Sequence, residues 1–197
     1  YGCSAEMISP SKPPSVYSFL KGTEKIKTGM PSGRKNIGFV LDCSDTTRLE
    51  NIRGILSDAD KLINIDHHQL NRNFGDINYI RPESSSVCEL ILNIGLGLNI
   101  DWDYDTALAV YVGLLTDTNR FQEQNTTARA HIIAAELVDK YISPVKVSAM
   151  IYGNQDLNTL KLISLVFNEL KLTDSKMIAY ATITPEMLKN THTKNEN

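Results

Sequence analysis

With 197 residues, 42% of them hydrophobic and 22% charged, the chain has the make-up of an ordinary soluble globular protein of one or two domains. A net charge of −3 excludes a broad basic surface for gripping long duplex nucleic acid, because each neutralised phosphate needs a Lys or Arg. Cys3, Cys43 and Cys88 are odd in number and lack motif spacing, so no disulfide framework is expected and a reducing, cytoplasmic setting fits; no apolar run reaches membrane-spanning length, and no signal peptide is expected at the start.

Residues 1–36 read as loop, punctuated by Pro10, Pro13, Pro14, Gly22, Gly29, Pro31 and Gly33. The first clear strand is Ile37–Leu41, apolar throughout in the manner of a parallel strand buried on both faces. It runs into Asp42-Cys43-Ser44-Asp45. Thr46 to Ser57 predicts a helix with Leu49, Ile52, Ile55 and Leu56 on one face, and Leu62–Ile65 a second strand. Strand, helix, strand over about thirty residues is a βαβ crossover. Neighbouring strands lie about 5 Å apart, so Asp42 and His67 come to one edge. Asp66, His67 and His68 end the second strand, where an open α/β sheet places its ligands. A solvated turn holding two histidines is the plain alternative.

Further on, Ile77–Ile80 reads as extended, and Ser86 with Glu89 forms a capping box ahead of a helix with Val87, Leu90, Ile91 and Ile94 as its stripe. Ser84, Ser85 and Ser86 are expected to cap and not to act as nucleophiles. Asp105 is the expected cap of a helix with Ala107, Leu108, Val110, Tyr111 and Leu114 inward, ending at Asp117; Asp101 and Asp103 before it read as solvent-exposed capping residues. Thr126 or Thr127 opens a helix to Lys140 with Ile133, Ala134, Leu137 and Val138 on its apolar face, and His131 at its surface or boundary. Pro144 to Tyr152 and Asp156 to Leu170 read as helical around a Gly153-Asn154 break, and Met177–Ile183 as a half-buried strand ended by Pro185.

Gathered at one edge, Asp42, Asp66, His67, His68 and Asp117 form a set of carboxylates and imidazoles without sulfur. Such a set suits Mn²⁺, Mg²⁺ or Zn²⁺, and a mixed oxygen and nitrogen octahedron favours Mn²⁺. Cys43 points to the opposite face and reads as packing. Several acids around a pair of ions would clamp a phosphoryl group, with His68 helping to neutralise charge on its oxygens. Three acids and two histidines are fewer ligands than two octahedral ions require.

In order and spacing, Asp42-Cys43-Ser44-Asp45, Asp66-His67-His68 and Gly113-x-x-x-Asp117-Thr118 with Arg120-Phe121 resemble the second, third and fourth motifs of the DHH phosphoesterase superfamily. The neighbouring Phe74–Asn78, Ser84–Ser86 with Glu89, and Phe121–Thr127 are most similar to its oligoribonuclease and 3′-phosphoadenosine-5′-phosphate phosphatase branch. The resemblance implies an α/β fold: a mostly parallel open sheet flanked by helices (the DHH domain, 1–142), a helical linker (143–171), and the beginning of a smaller α/β DHHA1 domain (172–197). It implies that Asp42 and Asp117 ligate or bridge metal, that His67 is a ligand, that His68 faces the substrate phosphate and that Asp66 neighbours or orients the ligands. Arg120 would contact phosphate through its guanidinium fork or form a surface ion pair. The implied cofactor is Mn²⁺, as two ions, with Mg²⁺ as the substitute. The implied partners are short RNA oligonucleotides or small nucleotide phosphates, with no membrane and no long duplex, and a homodimer is compatible.

The family's first motif, a histidine followed by Asp-x-Asp, has no counterpart here: only Glu6 and Glu24 precede Asp42 as acids, and no histidine does. The glycine-rich DHHA1 loop is absent, since no glycine follows Gly153. Together with a start at Tyr1 and a polar tail from Asn190 to Asn197, this leads to the expectation of a segment of a longer enzyme, inactive or nearly so alone. The expected activity is metal-dependent hydrolysis of short oligoribonucleotides to nucleoside 5′-monophosphates and of the 3′-phosphate of adenosine 3′,5′-bisphosphate. A single-strand exonuclease, a cyclic dinucleotide phosphodiesterase, a manganese pyrophosphatase, a non-catalytic relic acting as a binding module, and a plain nucleotide-binding α/β domain are the alternatives.

Overall fold

A computed structural model of the chain describes residues 3–33, 35–52, 54–153 and 156–193. They form two compact units, Tyr1–Val147 and Ser148–Asn197.

The first unit opens with β1 (Ile8–Ser9) and β2 (Lys27–Thr28), paired in parallel, so a region expected to be loop carries a small sheet of its own. Glu6 clasps it: its carboxylate accepts from Lys27 Nζ at 2.9 Å and from the Ser32 N–H at 3.0 Å, and pairs with Lys35 Nζ at 3.1 Å. These partners, Lys27 foremost, hold its pKa down at about 2.

The main sheet is parallel, in the order β3 (Lys35–Leu41), β4 (Ala59–Asp66), β5 (Ile77–Ile80), with β4 central. Both leading strands start earlier than the apolar runs alone indicate, because Lys35 is already paired with Ala59. Side chains alternate across the sheet. On one face Val40, Leu62 and Cys43 pack with Leu49 from the crossover, joined by Ile8, Leu56 and Phe74. On the other, Ile65 packs with Val87 and Leu90, joined by Ile63, Tyr79, Ile91 and Ile94. Burial of β3 on both faces is not observed. Ile37, Phe39 and Leu41 are 52%, 56% and 48% exposed, because β3 is an edge strand and the cover on that face reaches only β4 and β5.

The crossover also departs from the single helix expected over Thr46–Ser57. It is a 3-10 turn over Thr46–Ile52 followed by the short α1 (Ile55–Asp58). Asp45 starts the tight turn by accepting the Thr47 N–H at 2.8 Å, and Gly54 interrupts it where any Cβ would run into the Met30 methyl. Of the predicted stripe Leu49 and Leu56 reach the core; the side chains of Ile52 and Ile55 lie outside the described residues.

Helix α2 (Val87–Gly97) is capped by Ser86, whose hydroxyl accepts the Glu89 N–H at 3.2 Å. The returning carboxylate of Glu89 takes the N–H and hydroxyl of Ser85 in place of the cap residue's own N–H. Asp103, not Asp105, caps α3 (Tyr104–Asp117), accepting the Thr106 N–H at 2.8 Å, while Asp105 sits in the first turn and pairs with Lys21 at 2.5 Å. The apolar stripe fits either start, and the cap is decided by which residue keeps an extended backbone. Gly113 lets α3 approach α2 closely, since a Cβ there would collide with Cys88 Sγ. Thr127 caps α4 (Ala128–Lys140), which buries Ala130, Ile133, Ala134 and Leu137 but leaves Val138 exposed, contrary to its expected inward place.

Helix α5 (Pro144–Tyr152) runs across the boundary between the units. The second unit holds α6 (Leu157–Asn168), capped by Asp156; the antiparallel pair β6 (Lys171–Leu172) and β7 (Ala179–Tyr180); and α7 (Pro185–Thr191), capped by Thr184. Asn154 of the expected break and residues 194–197 of the tail lie outside the described residues. The half-buried strand expected over Met177–Ile183 is reduced to β7 and is exposed, because two paired residues offer no sheet to pack against. Among its described residues Thr191 alone is buried in this unit.

Candidate metal centre

Three chain segments end at the same rim of the first unit. Leu41 is in register with Ile65, and the Asp42 N–H donates to the Ile65 carbonyl at 3.0 Å. Asp42 then turns the chain off the sheet with φ 56°, in the left-handed region that Asp tolerates better than most residues. β4 ends in Asp66, fully buried, and delivers His67 and His68 beyond it. Asp117 is the last residue of α3.

These side chains converge. His67 Nε2 lies 3.5 Å from Asp42 Oδ1 and 3.3 Å from Asp117 Oδ2. Its other nitrogen, Nδ1, is 3.2 Å from the Ser84 carbonyl, which can only accept. That contact places the proton on Nδ1 in the neutral ring and leaves the Nε2 lone pair facing the two carboxylates, the tautomer a metal ligand needs. Asp117 Oδ2 is buried without a hydrogen-bond partner. Ligand atoms of Asp42, His67 and His68 lie within 4.8 Å of one another. His68 Nδ1 is committed to Asp66 Oδ1 at 2.7 Å, against 3.7 Å to Asp42, so His68 is left with Nε2 to offer, and Asp117 reaches the same group through His67.

The electrostatics agree. The Asp42 carboxylate beside Nε2 raises His67 most; burial opposes it, and Asp117 and the Ser84 carbonyl add to the rise, so the ring reaches a pKa of about 9. Burial pushes Asp117 up, helped by Asp42, against the pull of the two imidazoles. Burial also acts to raise Asp66, but the hydrogen bonds from His68 and Asn71 and the charge of His68 outweigh it and leave the carboxyl below its ordinary value. Two carboxylates facing one imidazole, one with an orphaned buried oxygen, form a cradle of negative potential that a proton fills only in part. Its oxygen and nitrogen donors fit a divalent cation such as Mn²⁺, Mg²⁺ or Zn²⁺.

Arg120 is exposed and lies in a turn where Asn119, Arg120 and Phe121 are all left-handed, with φ of 44°, 63° and 63°. The turn is held by the Arg120 N–H on the Leu115 carbonyl at 2.8 Å and the Phe121 N–H on the buried Thr118 hydroxyl at 3.1 Å. The Phe121 ring stacks on His131, which stands at the surface of α4.

Several residues of the site are not among those the motifs single out. Asn125 Nδ2 donates to the carbonyls of Ser85 at 2.8 Å and Asp117 at 3.1 Å, tying the end of α3 to the segment that orients His67. Asn64, wholly buried, donates to the carbonyls of Val40 and Cys43, both at 3.2 Å, and Asn71 reaches Cys43, Asn64 and Asp66. A readable signal existed for one of them. An Asn inside an apolar strand needs buried partners.

No family model matches the chain. Over 166 residues it is 29% identical to the "Bifunctional oligoribonuclease and PAP phosphatase NrnA" of Bacillus subtilis, covering 83% of this chain and 51% of that one. Over 150 residues it is 30% identical to the "Probable bifunctional oligoribonuclease and PAP phosphatase NrnA" of Streptococcus mutans, covering 76% and 47%. The chain thus spans about half the length of these curated relatives. The crystal structure of an exopolyphosphatase-related protein from Bacteroides fragilis matches with a TM-score of 0.88 at 21% identity, over 96% of this chain and 59% of that one, and shares its α/β fold. Among the described residues no helix is long and apolar enough to cross a membrane. With three motifs in order that resemble those of the DHH phosphoesterase superfamily, the chain is a sequence relative of the NrnA proteins.

Proposed function

We propose that this chain carries the metal-binding rim of a cytoplasmic phosphoester hydrolase that releases nucleoside 5′-monophosphates from short oligoribonucleotides and removes the 3′-phosphate of adenosine 3′,5′-bisphosphate. The observation that carries this reading is the approach of His67 Nε2 to both Asp42 and Asp117, at 3.5 and 3.3 Å. The names of the curated relatives supply the substrate class. Asp42, His67 and Asp117 would hold divalent metal, with Mn²⁺ favoured as one or two ions. Bound there, the cation supplies Lewis-acid chemistry: activation of water and neutralisation of charge on the phosphoryl oxygens.

The remaining work falls to the chain's own groups. His67 is held in its ligand tautomer by the Ser84 carbonyl. His68, its ring held by the Nδ1–H bond to Asp66, would present Nε2 to a phosphoryl oxygen and exchange a proton there. Asp66 fixes that ring and accepts the His67 N–H at 2.8 Å. Arg120 offers a guanidinium for a second phosphate or a terminal oxygen. The division into a DHH domain, a helical linker and the beginning of a DHHA1 domain belongs to the same proposal.

The test is turnover of a ribodinucleotide and of adenosine 3′,5′-bisphosphate with Mn²⁺, using both this chain and the product of the whole reading frame that encodes it. Nucleoside monophosphates should accumulate with the whole product and fall at least a hundredfold in Asp42→Asn, as expected when a group that stabilises the transition state is removed. No turnover of either substrate, or turnover indifferent to Asp42→Asn, overturns the reading.

A further inference from the structure

Asp66 is a fully buried carboxylate whose two oxygens have different neighbours. Oδ1 accepts the His67 N–H and His68 Nδ1. Oδ2 accepts from Asn71 Nδ2 at 2.5 Å. The same Asn71 nitrogen lies 2.9 Å from Asn64 Oδ1 and 3.1 Å from the Cys43 carbonyl, while Asn71 Oδ1 accepts the Asn73 N–H at 2.7 Å. This pattern fixes the amide's orientation: reversed, it would set an oxygen against three acceptors.

We infer that Asn71 is a positioning residue for His68, acting through Asp66. The chain of contacts runs from the Asn71 amide to Asp66 Oδ2, through the carboxylate to Oδ1, and on to His68 Nδ1. It also reaches sideways, because Cys43 is the neighbour of Asp42 and its carbonyl receives both Asn71 and Asn64. One amide therefore couples the orientation of the His68 ring to the backbone that sets Asp42. The loop after His68 is pinned to the same segment at two further places: the Arg72 N–H donates to the Ser44 carbonyl at 3.0 Å, and Arg72 Nε pairs with Asp45 at 2.7 Å. Arg72 touches neither Asp66 nor His68 in these contacts, so it serves as a control for loop anchoring alone.

Without Asn71, Asp66 loses the one side-chain donor to Oδ2 and keeps the His67 N–H and His68 Nδ1 on Oδ1. A buried carboxylate with fewer donors is held less firmly, and its bond to His68 Nδ1 is weakened with it. Asn71→Leu keeps the volume but offers Asp66 no donor. Packing and donation thus make different predictions for it. If Asn71 merely fills space, Asn71→Leu is milder than Asn71→Ala; if it donates, the two are equally harsh.

The function assigned to His68 rests on the reading above, but the test does not require it. In metal-free protein, long-range ¹H–¹⁵N spectra report which nitrogen of the neutral His68 ring carries the proton. Native protein should show the Nδ1–H form. Asn71→Ala should weaken that preference about tenfold, the value of one charge-assisted hydrogen bond. Asn71→Leu should weaken it as much, and Arg72→Ala should leave it unchanged while lowering the unfolding midpoint slightly. A native tautomer retained in Asn71→Leu, or lost equally in Arg72→Ala, overturns the inference; if Asn71→Leu does not fold, Asn71→Ala set against Arg72→Ala decides alone. Because the readout needs neither metal nor substrate, it can fail while the proposed hydrolase activity stands, and succeed where that activity is absent.

Discussion

β3 and β4 are paired residue for residue from Ile37 with Lys61 to Leu41 with Ile65, and each leads into an acid beside the two histidines. Their surroundings nevertheless differ. The last three residues of β4, Asn64, Ile65 and Asp66, are at most 3% exposed, while alternate residues of β3 stand open on one face. The central strand must therefore satisfy every polar atom it carries, and Asn64 and Asp66 do so through bonds to Val40, Cys43, Asn71 and His68. The edge strand carries its acid outside the sheet, on a turn, half-exposed and placed by backbone geometry. Neighbouring strands thus reach one site by different means, burial in one case and a change of backbone direction in the other.

The contrast can be broken most forcefully at Ile65. Ile65→Ala should cost about 2–5 kcal/mol in urea unfolding, the range for truncating a buried aliphatic side chain; a loss under 1 kcal/mol would show that β4 is not the better covered strand. A second test joins the two strand ends through His67. Its folded pKa of about 9 lies above the ordinary 6.5, so the stability it contributes is complete below pH 6.5 and is lost as pH rises through about 9. In chelator, the native protein should lose up to about 3 kcal/mol across that window, less for screening because Asp42 is half-exposed, and His67→Gln should flatten the profile. Metal must displace the same proton, so Mn²⁺ affinity should climb about tenfold per pH unit and level off near pH 9 in calorimetric titration. The smallest effect is expected on the open face of β3: Phe39→Thr should shift stability by under about 0.5 kcal/mol. A larger loss there would mean that this face is covered in solution.

The parallel α/β framework was legible because strand ends and helix starts carry local signals: an apolar run stopping at an acid, or a Ser or Thr ahead of a periodic stripe. The meeting of Asp42 with His67 followed from strand adjacency alone. What stayed hidden depends on elements far apart in sequence. Asn71 meets Cys43 across 28 positions, and Asn125 meets Ser85 across 40. Nothing local to either asparagine records its partner. The exposure of β3 was illegible for a related reason: an apolar strand reads the same whether or not something covers it, and only the placing of α2 decides. Asp103 and Asp105 were ambiguous because either would begin the same stripe.

The left-handed backbone at Asp42 bears on how residue 42 should be altered. An alanine there would lose the charge and also force an ordinary Cβ-bearing residue into a conformation disfavoured by about 1 kcal/mol or more. Weakened metal binding in such a variant would confound two causes. Asparagine accepts the same backbone and nearly the same volume while giving up only the negative charge, so it separates the electrostatic role of this corner from its shape.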